Sequence, residues 1–569
     1  MPEFFRQAFQ ELGTSLENEG IHMLECEPNY CIWFPDHDHI ELSRDIPHLK
    51  AQMEYHEGPG GFNRFCTFLA ESGLQYELCK ESVFKQSFPT LRSMFHPALF
   101  KGFLHIRPWT SMYSQVAKYF RSEKMRRVWS FESMYLGISP YRALGAFSLL
   151  PYIEMTDGIW YPRGGFQRVL HALSEVGRRL GVEYLLDSPV AKIELSDDNA
   201  KATGVRLETG EVLRADIIVV NADLVYAYNH LLSPSREAER LRKRSTSCSS
   251  ISFYWAFNEQ IPELRPHNVF LAGRFRESFD RIFDDHDVPE DFSFYVNVPS
   301  RVDVTAAPAG RESVMVLVPV GRLVDTLDRD EEEKRWNILV AQTRDIVLDT
   351  IEARTGARNL REKLVHEIVN SPLTWREKFN LDRGAILGLS HDFDNILWFR
   401  PQMKHFAIKG LYFTGSSTHP GAGVPACLLS GKFVVREIMK DWMEAKTTTK
   451  DYRRWQGRPT GGSGAILKLS GGSIPDDTQL TINIDTASSQ LDTFTQYQQI
   501  STSHRQSFAT GHPARIKNQY LDTWTYSQPP PWRDPPKVVI EDREQAIETC
   551  AQIEARQELT LYIDGINIF

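Results

Sequence analysis

The sequence predicts an α/β fold, and three stretches predict it. Residues 410–432, GLYFTGSSTHPGAGVPACLLSGK, run from a short apolar segment through a row of small residues into a helical pattern. Residues 166–223 alternate a helix with short apolar strands, and residues 250–400 alternate longer strands with helices. Strands interleaved with amphipathic helices point to a layered α/β protein.

In the stretch 410–432, Leu411, Tyr412 and Phe413 can enter a buried sheet, and Gly415, Gly421 and Gly423 then let the backbone turn tightly. Pro425 suits the first helical turn, and Ala426, Leu428, Leu429, Phe433, Val434 and Ile438 follow at helical spacing. A strand, a small-residue turn and a helix N-terminus combine free N–H groups with the positive end of a helix dipole. Such a site favours negative charge, as on a reduced flavin or a pyrophosphate. Gly421, Gly423 and Ala426 also satisfy the G-x-G-x-x-A dinucleotide fingerprint, but they lie far from the strand and a proline follows in the helix. A purely structural turn accounts for the glycines, though not for Ser416, Ser417, Thr418 and His419 in one row.

The run G-S-S-T-H-P-G-x-G-V-P resembles the C-terminal signature of bacterial and fungal phytoene desaturases, carotenoid desaturases of the FAD-dependent amine-oxidase-like superfamily. FYVNVPSRVDVTAAPAGRE and SPLTWREKFNLDRGAILGLSHDFDNILWFRP resemble the same proteins, so the resemblance extends over residues 2–445. It implies a two-dinucleotide-binding flavoprotein fold of Rossmann-like type. It also implies stepwise dehydrogenation of phytoene to lycopene or 3,4-didehydrolycopene with FAD, NAD being open as electron acceptor. Related flavin amine oxidases, retinol-saturase-like oxidoreductases and an inactive truncated or fused gene product are the alternatives.

Composition bounds these readings. The chain of 569 residues is long enough for more than one domain, and 41% hydrophobic residues suffice for a core. A formal charge of -9 argues against a basic nucleic-acid-binding surface. The seven cysteines, Cys26, Cys31, Cys66, Cys79, Cys248, Cys427 and Cys550, have no paired C-x-x-C spacing, so neither a zinc site nor any other metal site is expected and the thiols read as reduced and intracellular. Met1 is followed by PEFFRQAF rather than a basic stretch and a long apolar core, so neither a signal peptide nor a spanning helix is expected.

Taken in order, Phe4, Phe5, Phe9 and Leu12 predict an amphipathic helix at once, where the superfamily opens with a G-x-G-x-x-G βαβ unit. Gly58, Gly60 and Gly61 lie in a polar turn, and Gly461, Gly462 and Gly464 have no strand before them. The expectation is a fold lacking its first βαβ unit. Residues 20–90 read as antiparallel strands with a helix over 61–73. Residues 95–129 carry Leu99, Phe100, Phe103, Leu104, Ile106, Trp109, Tyr113 and Tyr119 among Lys101, Arg107, Lys118, Arg121, Lys124, Arg126 and Arg127. An apolar face flanked by cations suits either a membrane interface or a core helix with a solvated side. The resemblance favours the membrane, since the family draws a lipid-soluble substrate from the bilayer, and it implies peripheral attachment there with self-association left open. Residues 1–150 are therefore assigned to a substrate and membrane-contacting part.

Residues 151–235 form the expected remaining FAD-binding half: a helix over 166–180, a strand over 182–186, strands from Val190 and over 204–207 and 212–216, then an apolar strand from Ile217. By resemblance, Val190 meets the adenine through its backbone. A βαβ crossover without a ligand would show the same pattern. Residues 236–400 give the substrate-domain sheet, with strands in SISFYWAF, FSFYVNVPSRVDVTAAPAG and SVMVLVPVG and a helix over 331–354, and residues 401–445 the C-terminal FAD motif and its helix. By resemblance the flavin ring lies over Gly415, Ser416, Ser417, Gly421, Gly423, Val424 and Pro425. Asp157, beside Gly158, and His419 are the candidates for proton transfer, which the flavin alone could also accomplish, and Asp157 reads first as a solvated turn residue.

Residues 446–536 are rich in Thr, Ser, Gln, Gly, Asp and Pro and read as a disordered linker. Within residues 537–569, the stretch LTLYIDG resembles the entry to the ribonuclease H domain of retroelement polyproteins, with Asp564 at the place of a first metal ligand. The other carboxylates of a two-metal site do not follow, so no nuclease is inferred.

Overall fold

A computed structural model describes residues 2–95, 109–324 and 328–448, together with Gly464–Ile466 and Thr481–Asn483. They fall in two compact units, one within residues 1–444 and one within 445–553. Strands of the first unit are β1 Met23–Cys26, β2 Tyr30–Trp33, β3 His39–Leu42, β4 Ile159–Pro162, β5 Val190–Leu195, β6 Ala202–Leu207, β7 Val212–Arg214, β8 Ile218–Val220, β9 Ser249–Phe257, β10 His267–Phe270, β11 Phe294–Asn297, β12 Glu312–Val320, β13 Leu364–Asn370 and β14 Leu411–Phe413.

Seven strands make the main sheet, in the order β13-β9-β12-β11-β10-β2-β3. All neighbours are antiparallel except β10 and β2. Side chains alternate between the faces of a strand, so a strand apolar at nearly every position must be covered on both sides. Strand β9 is of this kind. Ile251, Phe253, Trp255 and Phe257 join Val314, Val316 and Val318 of β12 on one face, where Trp336 of the helix Arg329–Thr355 covers them. Tyr254 faces the other way and packs with Tyr30, Tyr295, Met315 and Leu317. Trp375 closes that second face, its Nε1 donating to the Ser250 carbonyl at 2.9 Å.

A smaller body carries β5, β6 and β7 as an antiparallel sheet and the parallel pair β8 and β14. Ile193, Ala202, Ile218, Val220, Leu411 and Phe413 share its core. The helix Pro2–Glu11 lays Phe5 and Phe9 on Val169, Ala172 and Val176 of the helix Phe166–Arg179. Strands β2 and β3 from the first 150 residues enter the same sheet as β9 to β13, so the substrate part and the later strands share one sheet.

Several expectations change. No strand forms over 182–186: Gly181 turns the chain with φ +85°, and Val182, Tyr184, Leu185 and Leu186 stay exposed with no described strand beside them. An apolar strand pattern needs a partner to take its backbone hydrogen bonds. The helix expected over 61–73 runs over Gly61–Ser82, and a helix at Ile46–Glu57 precedes it, started by Asp45, whose carboxylate accepts the His48 N–H. The chain after β11 enters a 3₁₀ turn, Pro299–Arg301, rather than continuing as strand, because Asp303 accepts from the backbone N–H of Gly164 (2.6 Å) and Thr305. In the second unit Gly464–Ile466 and Thr481–Asn483 pair antiparallel inside the tract read as disordered.

The basic, aromatic segment 95–129 is not one amphipathic helix. Leu99, Phe100, Lys101, Phe103, Leu104, Ile106 and Arg107 lie outside the described residues, as does Asp564 with the ribonuclease H-like end. The remainder folds as two short helices, Met112–Val116 and Glu123–Val128, which bury Met112, Val116, Met125 and Val128. Lys124 bridges to Asp36 and Asp38 at 2.7 Å each, and Arg127 to Glu123 at 3.1 Å. Those cations are engaged within the protein. No described helix is long and apolar enough to cross a membrane.

Phe253 is fully buried on the sheet face that Trp336 covers, so Phe253→Ala should destabilise the first unit by about 3–5 kcal/mol through lost burial and a residual cavity. Val365→Ala, on an exposed position of β13, should stay within about 0.5 kcal/mol. Chemical denaturation of the two variants measures the difference, and equal losses would contradict the two-sided packing of the sheet.

Candidate functional site

Strand β14 lies parallel to β8 with Leu411, Tyr412 and Phe413 all buried. Phe413 stacks on Tyr228 at 4.9 Å, and the Tyr412 hydroxyl donates to Asp441 Oδ2 at 2.6 Å, tying the strand to the helix that follows. That helix, Val424–Thr448, starts one residue before Pro425. Between strand and helix the chain makes the turn 414–423.

Two glycines of the turn are required by what surrounds them. At Gly415 (φ +107°) a Cβ would sit 2.6 Å from Asn221 Oδ1, and at Gly421 (φ +133°) it would sit 2.4 Å from His391 Nε2. Both φ values belong to a region that side chains disfavour. Gly423 also has a positive φ, and Gly423, Val424 and Ala426 remain partly exposed at the helix N-terminus.

Three side chains hold this turn. Ser430, fully buried one turn into the helix, accepts the Gly415 N–H at 3.1 Å and shares hydrogen bonds with the hydroxyls of Thr414 (3.0 Å) and Thr418 (2.9 Å). Arg400, 1% exposed, donates to the carbonyls of Thr418 (3.0 Å), Ser390 (3.0 Å), Asn395 (2.6 Å), Leu389 (3.2 Å) and Ser416. Burial pulls its pKa down to about 9, with Cys427 and Asp392 opposing the shift and Arg244 adding to it. At neutral pH it therefore carries a positive charge met by peptide carbonyls. His391 Nε2 accepts the Ala422 N–H at 3.0 Å, and burial, helped by Arg400, pushes this imidazole well below its ordinary pKa.

His419 is an anchor of the turn. Its Nε2 donates to the carbonyls of Val83 (3.1 Å) and Gln86 (3.0 Å), and its ring lies against Phe88 and Phe433 at 5.0 and 5.7 Å. Nδ1 is buried with no hydrogen-bond partner. Ser417 Oγ accepts the Leu389 N–H at 3.2 Å and is buried, while Ser416 is partly exposed. Val190, first in β5, packs on the core that holds Leu411 and Phe413. Asp157 ends the helix Leu149–Asp157 at an exposed position, where its carbonyl accepts from Trp160 Nε1 at 2.6 Å, and none of the turn's hydrogen bonds reaches it.

The structure thus brings Gly415, Ser416, Ser417, His419, Gly421, Gly423, Val424 and Pro425 together and leaves Asp157 apart. Asn221, His391, Arg400 and Ser430 belong to the site without having been singled out from sequence. An arginine inside the apolar run LWFRP was a signal for one of them, since a cation amid large apolar residues needs a partner. The site combines a glycine cradle, the N-terminus of a long helix and a buried positive charge. This donor set fits the electron-rich edge of a planar cofactor that gains charge on reduction.

Residues 10–439 match the family of flavin containing amine oxidoreductases. The chain is 48% identical over 454 residues to a phytoene desaturase of Fusarium fujikuroi, covering 78% of this chain and 80% of that one. It is 45% identical over 458 residues to a phytoene desaturase of Neurospora crassa, covering 79% and 76%. A zeta-carotene-forming phytoene desaturase of Myxococcus xanthus is 34% identical over 467 residues, covering 82% and 88%.

The His419 imidazole gives a pH signature. Burial pushes its pKa down to about 4 from an ordinary 6.5, so between these values the unfolded chain binds a proton that the folded chain does not. Its contribution to stability is present above pH 6.5 and is lost as pH falls towards 4, at about 1.4 kcal/mol per pH unit. His419→Gln, whose longer amide can donate to the same carbonyls without titrating, should remove that slope. Urea unfolding followed through this pH range measures it, and parallel curves for the two proteins would contradict the assignment.

Proposed function

The chain belongs to the flavin containing amine oxidoreductases, in their phytoene desaturase branch, and we propose that it is an FAD-dependent oxidoreductase of carotenoid biosynthesis acting on phytoene. It dehydrogenates the linear C40 chain stepwise at CH–CH bonds to give lycopene or 3,4-didehydrolycopene. The observation that carries this reading is the turn at residues 415–425, held by a buried guanidinium at a helix N-terminus in a chain similar along most of its length to phytoene desaturases. The relatives favour neither the amine-oxidase nor the retinol-saturase-like alternative.

FAD supplies the electron sink that this reaction requires and that no side chain offers. Gly415, Ser416, Gly421, Gly423, Val424 and Pro425 would hold its ring end, and Ser417 fixes the turn beneath by its bond to Leu389. Val190 would meet the adenine from β5. Arg400 and the helix N-terminus favour an anionic ring edge. For proton transfer, His419 has a buried free Nδ1, and Asp157 an exposed carboxylate outside the turn.

NAD as the onward electron acceptor, a membrane surface as the source of phytoene, peripheral intracellular attachment and self-association complete the proposal. Exposed Leu91, Phe95 and Trp109, on either side of the segment 96–108, support contact with an apolar surface. A hydrocarbon substrate requires such a surface, since it dissolves in lipid and not in water.

The test supplies the full chain with FAD and phytoene in liposomes containing anionic lipid, and follows the visible absorbance of conjugated polyenes. Product that accumulates only with FAD, with protein floating with the vesicles, is expected. Bound flavin without conjugated product would contradict the function, and protein that stays in the soluble fraction would contradict the membrane proposal.

A further inference from the structure

Away from the glycine turn, the apolar core on the Tyr30 face of the main sheet encloses two carboxyl groups. Glu132 lies in the 3₁₀ segment Phe131–Leu136 and is fully buried, and neither of its carboxyl oxygens has a hydrogen-bond partner. Glu154, on the helix Leu149–Asp157, accepts only a long bond of 3.4 Å from the Tyr30 hydroxyl. Tyr30 of β2, Tyr135 beside Glu132, and Tyr295 of β11 with His267 of β10 surround them, and Tyr295 and His267 bond each other at 2.5 Å. Among the described residues no lysine or arginine acts on either carboxyl.

Burying a carboxyl without partners is costly, and a fold that needed only bulk there would place an apolar side chain. Burial raises both pKa values: Glu154 to about 8, and Glu132 well above its ordinary value with the charge of Glu154 adding to the shift. The core that encloses them reaches the glycine turn, since Ala422 packs against it together with Leu387, Ile386 and Tyr135. A hydrocarbon chain lying against this core would offer no donor or acceptor, so carboxyl groups facing it would serve no recognition. They can take or give a proton.

We propose that Glu154, with Glu132 beside it, is the proton acceptor for desaturation. This rests on the phytoene reading above. At each step one substrate hydrogen leaves with its electron pair to the flavin, which is reduced. The neighbouring C–H bond breaks, its electron pair becomes the new π bond, and its proton forms an O–H bond on the Glu154 carboxylate. Glu154 is the less buried of the two, so the proton returns to water on its side. Its raised pKa makes it a stronger base than an exposed carboxylate, as a base for a weakly acidic C–H requires.

Infrared difference spectroscopy of the full chain with FAD, in phytoene-loaded and empty liposomes, tests this. A protonated carboxyl band that titrates near pH 8 and is missing in Glu154→Gln is expected, with a second band, missing in Glu132→Gln, that persists to higher pH. Phytoene should shift the Glu154 band. Glu154→Gln should slow desaturation by about 100- to 10,000-fold with KM changed by less than about threefold, and Glu154→Asp should recover part of the rate. Gln variants that keep the rate within about threefold would overturn the proposal, as would a band unmoved by phytoene. If the wild-type chain holds FAD but forms no polyene, the phytoene reading fails. The carboxyl band then decides alone, its shift with bound phytoene supporting a substrate-facing acid and its constancy overturning it.

Discussion

A guanidinium ion with no carboxylate among its hydrogen-bond partners, donating to five backbone carbonyls, is the interaction on which this site depends. The chain reverses at residues 414–423, where Gly415, Ser417, Thr418, His419 and Gly421 are buried. Leaving one buried peptide carbonyl unpaired costs about 1–3 kcal/mol, and Arg400 satisfies carbonyls from three separate segments at once: 389–390, 395 and 416–418. The planar fork of arginine suits this task where a lysine ammonium does not. No carboxylate bonds it, although Asp392 lies near enough to act on its charge, and it adds to the positive end that the helix N-terminus gives the same turn.

The rest of the site follows from that fixture. With the carbonyls of Ser416 and Thr418 held, Ser430 can collect Gly415 and two threonine hydroxyls from the helix side, His391 can hold Ala422 from a neighbouring segment, and His419 can reach out of the turn to the carbonyls of Val83 and Gln86. Ala422 then meets the core behind the Tyr30 face of the main sheet, where the buried carboxyl pair lies. The glycine turn and the apolar core on the Tyr30 face therefore meet at Ala422.

Much of this was legible in the sequence because it depends on local pattern. Continuous apolar strands such as SISFYWAF, the helical spacing after Pro425 and the row of glycines each obey one period or one backbone rule. The helix Ile46–Glu57 was hidden, its buried positions being few, and residues 182–186 read as a strand because periodicity shows a side chain's preference without showing whether a partner strand is present. Arg400, Ser430 and Asn221 were harder. Each matters through contacts made 15 to 194 residues away, in the bonds of Ser430 to Thr414 and Gly415, of Arg400 to Thr418 and of Asn221 over Gly415, and no spacing rule spans the longer of those. Glu132 and Glu154 looked like ordinary charged positions; Glu132 became distinctive once the core closed around it, and Glu154 once it was seen half-buried beside Tyr30.

The central claim, that Arg400 preorganises the turn for a flavin, is tested most directly by the flavin dissociation constant of Arg400→Lys against the wild type, read by fluorescence titration. Lysine keeps the charge and loses the fork. The account predicts affinity weaker by about ten- to a hundredfold, as expected when two or more of the five hydrogen bonds are lost. A dissociation constant within about twofold of the wild type would show that the turn holds its shape without the guanidinium and would contradict it.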